Sequence, residues 1–161
     1  MAKVQRLSYL DFDIDSYPWK PDINYREHPE RYKVGKGEQG ELICQPYKAE
    51  IGQHWRFKTQ EIATESSIRI FELFEQYIRQ NDFVGADMAR KYLQMGYTRA
   101  RRYANYKRGV KYQKDNDYKL NPRGTGEAEK AAAEIFYKKY KEAEANPVYK
   151  HLKADWKKMY G

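Results

Sequence analysis

The chain is short of several things, and each shortage narrows what it can be. It holds one cysteine, Cys44, so no internal disulfide can form and the composition suits a reducing compartment. No apolar run nears the ~20 residues that a membrane-spanning helix needs. The opening stretch MAKVQRLSYL carries no apolar signal-peptide core. These features lead us to expect a soluble, cytoplasmic protein with no membrane partner. Catalytic signatures are missing as well: there is no G-x-S-x-G, P-loop, H-E-x-x-H or paired C-x-x-C. His28, His54 and His151 have no metal-ligand spacing with one another or with Cys44. Nothing compels an enzyme, and no cofactor is implied.

Apolar residues are also in modest supply, at 40% against 34% charged. Sixteen tyrosines, six phenylalanines and three tryptophans make up the difference, which predicts an aromatic-rich core, since each ring buries a large area and tyrosine keeps a polar tip. A length of 161 residues suffices for one domain with a real core.

The pattern predicts a mostly α, α+β fold. Residues 1–58, rich in aromatics, proline and glycine, read as a layer of short strands (3–10, 31–34, 41–45 and 54–58) joined by turns. Thr59 caps an amphipathic helix to about Gln80, with Ile70, Phe71, Phe74, Tyr77 and Ile78 as its apolar side. Asn81 and Asp82 stop it and cap a second helix, giving a helical hairpin packed under the strand layer. Residues 115–126, with Pro122, Gly124 and Gly126, read as a linker. Beyond it come two C-terminal helices, the first to about Ala145 and the second started by Pro147, with Val148, Leu152, Trp156 and Met159 as its apolar stripe. The expected organisation is a single domain over 1–114, the linker, and a helical extension over 127–161.

What the chain has in plenty is positive charge in one place. Residues 84–114 carry nine Lys or Arg against one acid, Asp87, so this stretch alone accounts for the whole chain's formal charge of +8. Five tyrosines lie among them, a mixture that can hold phosphates by charge and bases by stacking. On a helical wheel Arg90, Lys91, Arg101, Arg102 and Arg108 form a basic strip with Tyr97 on its border. Met88, Ala89, Tyr92, Met95, Gly96, Ala100, Tyr103 and Tyr106 form the packing sector. Arg99 falls inside that sector, so either it pairs with a buried acid or the helix breaks near Gly96. An isolated charged face reads as solvated surface; the concentration of charge here points to a polyanion.

Two other stretches invite chemistry. Gly35-Lys36-Gly37-Glu38-Gln39-Gly40 matches G-x-G-x-x-G but lacks the following helix of a dinucleotide site, so it reads as a glycine-rich hairpin turn, with a phosphate loop through Gly35, Lys36, Gly37 and Gly40 as the alternative. Asp11, Asp13 and Asp15 alternate on an expected strand edge; they are a weak candidate cation site, and an acidic edge that deters pairing is the favoured reading.

The segments REHPERYKVGKGEQG, HWRFK and GADMARKYLQMGYTRARRYAN, in this order, resemble a family of small proteins from bacteriophage and bacterial genomes among others, described as a domain of unknown function. The resemblance covers 17–112 and implies no activity, cofactor or catalytic residue. It suggests a phage-encoded protein acting in the host cytoplasm.

The favoured expectation is a non-catalytic nucleic-acid-binding protein, with Arg90, Lys91, Arg101, Arg102 and Arg108 on phosphates and Tyr97, Tyr106 and Trp55 for stacking. The alternatives are a metal-dependent phosphate-handling enzyme or nuclease using Asp11, Asp13 or Glu38, and an adaptor that docks an acidic host protein. The sequence leaves the oligomeric state open.

Overall fold

Helix boundaries follow local capping chemistry. In the computed structural model, which describes residues 19–34, 43–105, 112–113, 119–120 and 127–160, Thr59 accepts the Ile62 N–H at 3.1 Å and opens a helix at Gln60. That helix ends at Arg79, and Asn81 turns the chain with a positive φ of 56°. Asp82 then accepts the Gly85 N–H at 3.0 Å, and Asn146 accepts the Tyr149 N–H at 3.0 Å ahead of Pro147. In chain order the elements are a 3-10 turn (Pro29–Arg31), α1 (Tyr47–Gly52), α2 (Gln60–Arg79), α3 (Phe83–Asn105), β1 (Tyr112–Gln113), β2 (Lys119–Leu120), α4 (Glu127–Ala145) and α5 (Pro147–Tyr160). None of the described helices is long and apolar enough to cross a membrane.

The fold is mostly helical, and α3 is its axis. This helix packs against α1, α2, α4 and α5. Its expected packing sector is where the wheel put it: Met88, Ala89, Tyr92, Met95 and Ala100 are all buried. Two glycines let neighbours come close. A Cβ at Gly85 would lie 2.6 Å from the Tyr77 ring of α2, and one at Gly96 would collide with the Phe136 ring of α4. The break considered at Gly96 does not occur, because the missing side chain seats Phe136 and α3 runs on to Asn105.

The expected strand layer needs correction wherever it is described. Arg31 closes the 3-10 turn and 32–34 follow it without pairing among the described residues, 54–58 are irregular, and of the described residues 43–45 only Gln45 forms a bridge, to Asn24. Side chains occupy the backbone groups that a ladder would use. Trp19 Nε1 donates to Lys33 O at 2.8 Å, Trp156 Nε1 to Tyr32 O at 2.8 Å, and Lys91 Nζ to Val34 O at 2.8 Å. Ser66 likewise donates to His54 O at 2.6 Å and accepts from Arg56 N at 2.9 Å. The strand expected at 3–10 lies outside the described residues. Among the described residues the sole ladder is the β1–β2 pair, antiparallel with Tyr112 opposite Leu120. It reaches into the stretch expected to be a linker.

The core is aromatic, as composition requires. Tyr25, Tyr32, Phe83, Tyr149 and Phe74 form a chain of ring contacts 5.6 to 6.5 Å apart, joining the N-terminal segment through α3 to α5 and α2. Ala132, Phe136 and Ala143 of α4 and Tyr149 of α5 belong to the same core. The last two helices thus share this core. The α5 stripe is also rotated from its expected position: Val148 and Met159 are exposed, while Tyr149 is buried with Leu152 and Trp156 packed beside it.

Candidate functional site

The first half of the basic helix turns inward. Asp87 is fully buried, with Arg90 and Lys91 one turn further on and almost fully buried too. Arg90 Nη2 donates to Asp87 Oδ1 at 2.8 Å, and its Nε and Nη1 reach the Tyr149 hydroxyl (3.0 Å) and Gln94 Oε1 (2.7 Å). Tyr149 donates to Asp87 Oδ1 at 2.6 Å, and Tyr32 donates to Asp87 Oδ2. Lys91 Nζ lies 3.8 Å from Asp87 Oδ2 and faces the rings of Trp19 and Tyr32. Burial alone would push the Asp87 carboxyl up; the charges of Arg90 and Lys91 and the two tyrosine hydroxyls more than reverse this and hold it well below the carboxylate range. Both tyrosines are pushed up, chiefly by burial and then by the Asp87 charge, and so stay protonated as donors. Arg90 and Lys91 thus leave the expected phosphate-binding strip: their charges are spent on an internal carboxylate and on locking 32–34 and α5 to α3.

The second half of α3 turns outward. Arg101 and Arg102 are exposed. Arg101 donates to the Tyr97 hydroxyl at 2.6 Å with its guanidinium 5.8 Å from that ring. Tyr97 in turn meets Tyr137 of α4, with ring centroids 4.8 Å apart, and Tyr137 keeps 41% of its surface exposed. Lys141 Nζ stands 5.5 Å from the Tyr137 ring and 5.1 Å from the Tyr140 ring. Arg101, Tyr97, Tyr137, Lys141 and Tyr140 therefore form a continuous band of cations and rings across α3 and α4. Lys141 also borders an open cleft of about 430 Å³ between α4 and α5, lined further by Glu144, Ala145, Tyr149, Lys150 and Lys153.

The remaining expected site residues divide in two. Trp55 is partly buried, with its ring in edge contact with Phe57 and Tyr92. The Arg99 guanidinium lies 5.9 Å from the Trp55 ring, which accommodates this cation on the packing side of α3. Tyr106, Arg108, the Gly35, Lys36, Gly37 and Gly40 loop, and Asp11, Asp13, Asp15 and Glu38 lie outside the described residues. Among the described residues no cluster of His, Cys, Asp and Glu could hold a metal ion. Sequence reasoning missed Tyr137, Lys141, Lys150 and Lys153. The run Tyr137-Lys138-Lys139-Tyr140-Lys141 was a legible signal, since spacings of three and four put Tyr137, Tyr140 and Lys141 on one face.

The model of a family described as a domain of unknown function, DUF4385, matches residues 15–159. The chain belongs to this family. The match runs through α4 and α5, in keeping with the shared core and beyond the 17–112 resemblance. Neither the curated proteins nor the solved structures include a match.

Proposed function

We propose that this member of the family is a non-catalytic nucleic-acid-binding protein whose contact surface is the cation–tyrosine band on α3 and α4. The observation that carries the reading is the Tyr97–Tyr137 pair at 4.8 Å, flanked by Arg101 on one side and Lys141 on the other. Such a band offers phosphates a row of charges and offers bases the exposed face of Tyr137, which favours unpaired strands over a duplex whose bases are already stacked. Arg102 adds a further exposed cation next to Arg101. For a phage gene the setting is the cytoplasm of the infected cell.

Fluorescence anisotropy titrations against single-stranded DNA, duplex DNA and RNA at two salt concentrations test this, with an acidic polypeptide as control. The expected result is preference for a single strand, steep weakening with salt, and loss of stacking affinity of roughly 1 to 3 kcal/mol in Tyr137→Ala. Binding to the acidic polypeptide that equals binding to nucleic acid would transfer the band to protein docking.

A further inference from the structure

The cleft between α4 and α5 is not needed for stacking, yet it gathers three lysines beside a single acid. Its floor is Tyr149, whose hydroxyl is fixed by Asp87 and Arg90 from behind. Glu144, the sole acid lining it, is already engaged: one oxygen takes Lys141 at 3.1 Å and the other accepts from Tyr140 at 3.0 Å. Lys150 and Lys153 pair with no carboxylate among the described residues, and Lys153 Nζ sits 5.8 Å from the Tyr149 ring. Three ammonium groups against one carboxylate leave the cleft with two positive charges to offer.

We propose that this cleft is a phosphomonoester site, formed by Lys150 and Lys153 over Tyr149 with Lys141 at its rim. Two free cations match a phosphomonoester, which carries about −1.5 to −2 charges at neutral pH, better than the single charge of a backbone phosphodiester. The open cleft, of about 430 Å³, leaves room for a phosphate group on a strand end or on a free nucleotide. Lys153 is held below its ordinary pKa by burial and then by the nearby Arg90, against the opposing pull of Asp87 and Glu144, and an arriving dianion would add to that pull. The phosphate can come from a strand end or from a free nucleotide. The strand-end source rests on the nucleic-acid reading, and Lys141, shared by the band and the cleft, makes the two surfaces continuous.

Two measurements on the full chain decide it. In the first, single-stranded oligonucleotides ending in phosphate or in hydroxyl are titrated by anisotropy; in the second, inorganic phosphate is titrated while the lysine side-chain NMR signals are followed. We expect the phosphate-ended strand to bind roughly tenfold tighter. We also expect this advantage to vanish in Lys150→Gln/Lys153→Gln while hydroxyl-ended binding persists, and Lys150 and Lys153 signals to shift with inorganic phosphate. The single variant Lys150→Gln, at an exposed position, reports the same loss in part if the double variant fails to fold. Shifted lysines without discrimination between ends would assign the site to a free phosphomonoester. If no strand binds at all, the nucleic-acid reading fails and the phosphate titration alone decides the cleft. Unshifted lysines, or an end preference that survives both substitutions, would overturn the proposal.

Discussion

The two halves of α3 make opposite use of the same residue types. Between Phe83 and Met95 the helix is covered on every side, and its cations Arg90 and Lys91 face an internal carboxylate. From Tyr97 onward the cover thins, and Arg101 and Arg102 reach solvent beside a tyrosine band. Positive charge in a sequence becomes binding surface only where the surrounding layers end; where they do not, the same charge becomes a structural bolt. The local sign is the acid: Asp87 stands three and four residues before Arg90 and Lys91, at helical pairing distance. No acid precedes Arg101 or Arg102 at these spacings.

The sharpest way to break the inner half is Asp87→Asn. Two buried cations would lose their counter-charge, and we expect a loss of roughly 3 to 5 kcal/mol in urea denaturation. A loss below about 1 kcal/mol would mean that the cluster is not closed in solution.

Acid should do the same more gradually. The folded Asp87 carboxyl lies below the ~3.9 of an unfolded aspartate, so its contribution is fully present above that value and is lost as pH falls towards the folded one. The wild type should therefore lose stability more steeply below pH ~4 than Asp87→Asn does. Equal slopes would remove Asp87 from the account.

Gly96 marks the junction of the two halves. Gly96→Ala gains up to about 1 kcal/mol of helix propensity. It also forces the fully buried Phe136 ring to move, so we expect a net destabilisation of roughly 1 to 2 kcal/mol. A more stable Gly96→Ala would show that α4 can slide without cost. The smallest expected effect on stability belongs to the outer half: Arg101→Glu/Arg102→Glu should change it by no more than about 0.5 kcal/mol.

Local chemistry was legible in the residues. Thr59, Asp82 and Pro147 marked helix starts because capping depends on near neighbours alone, and Met88, Ala89, Tyr92, Met95 and Ala100 announced the packing side of α3 by period. Burial of the other side was not legible, since a helical wheel gives direction but not the thickness of what lies beyond. Arg90 and Lys91 were read as surface because the covering groups, Trp19, Tyr32 and Tyr149, come from distant segments. The same limit misplaced the α5 stripe: Tyr149 turns inward for a hydroxyl contact with α3 that its own helix does not reveal. The irregular N-terminal backbone was hidden likewise, since the side chains that take its carbonyls include Lys91 and Trp156, far along the chain. Of the proposed band, Tyr97, Arg101 and Arg102 were named from the sequence, and their neighbours on α4 were not.

The most direct test of the division within α3 is a single-strand titration of folded Arg101→Glu/Arg102→Glu beside the wild type at low salt, with urea midpoints measured on the same samples. We predict an unchanged midpoint and a loss of affinity of at least roughly tenfold, as two phosphate contacts become repulsive. Unchanged affinity in a folded double variant would contradict the account and detach the exposed cations of α3 from nucleic-acid binding.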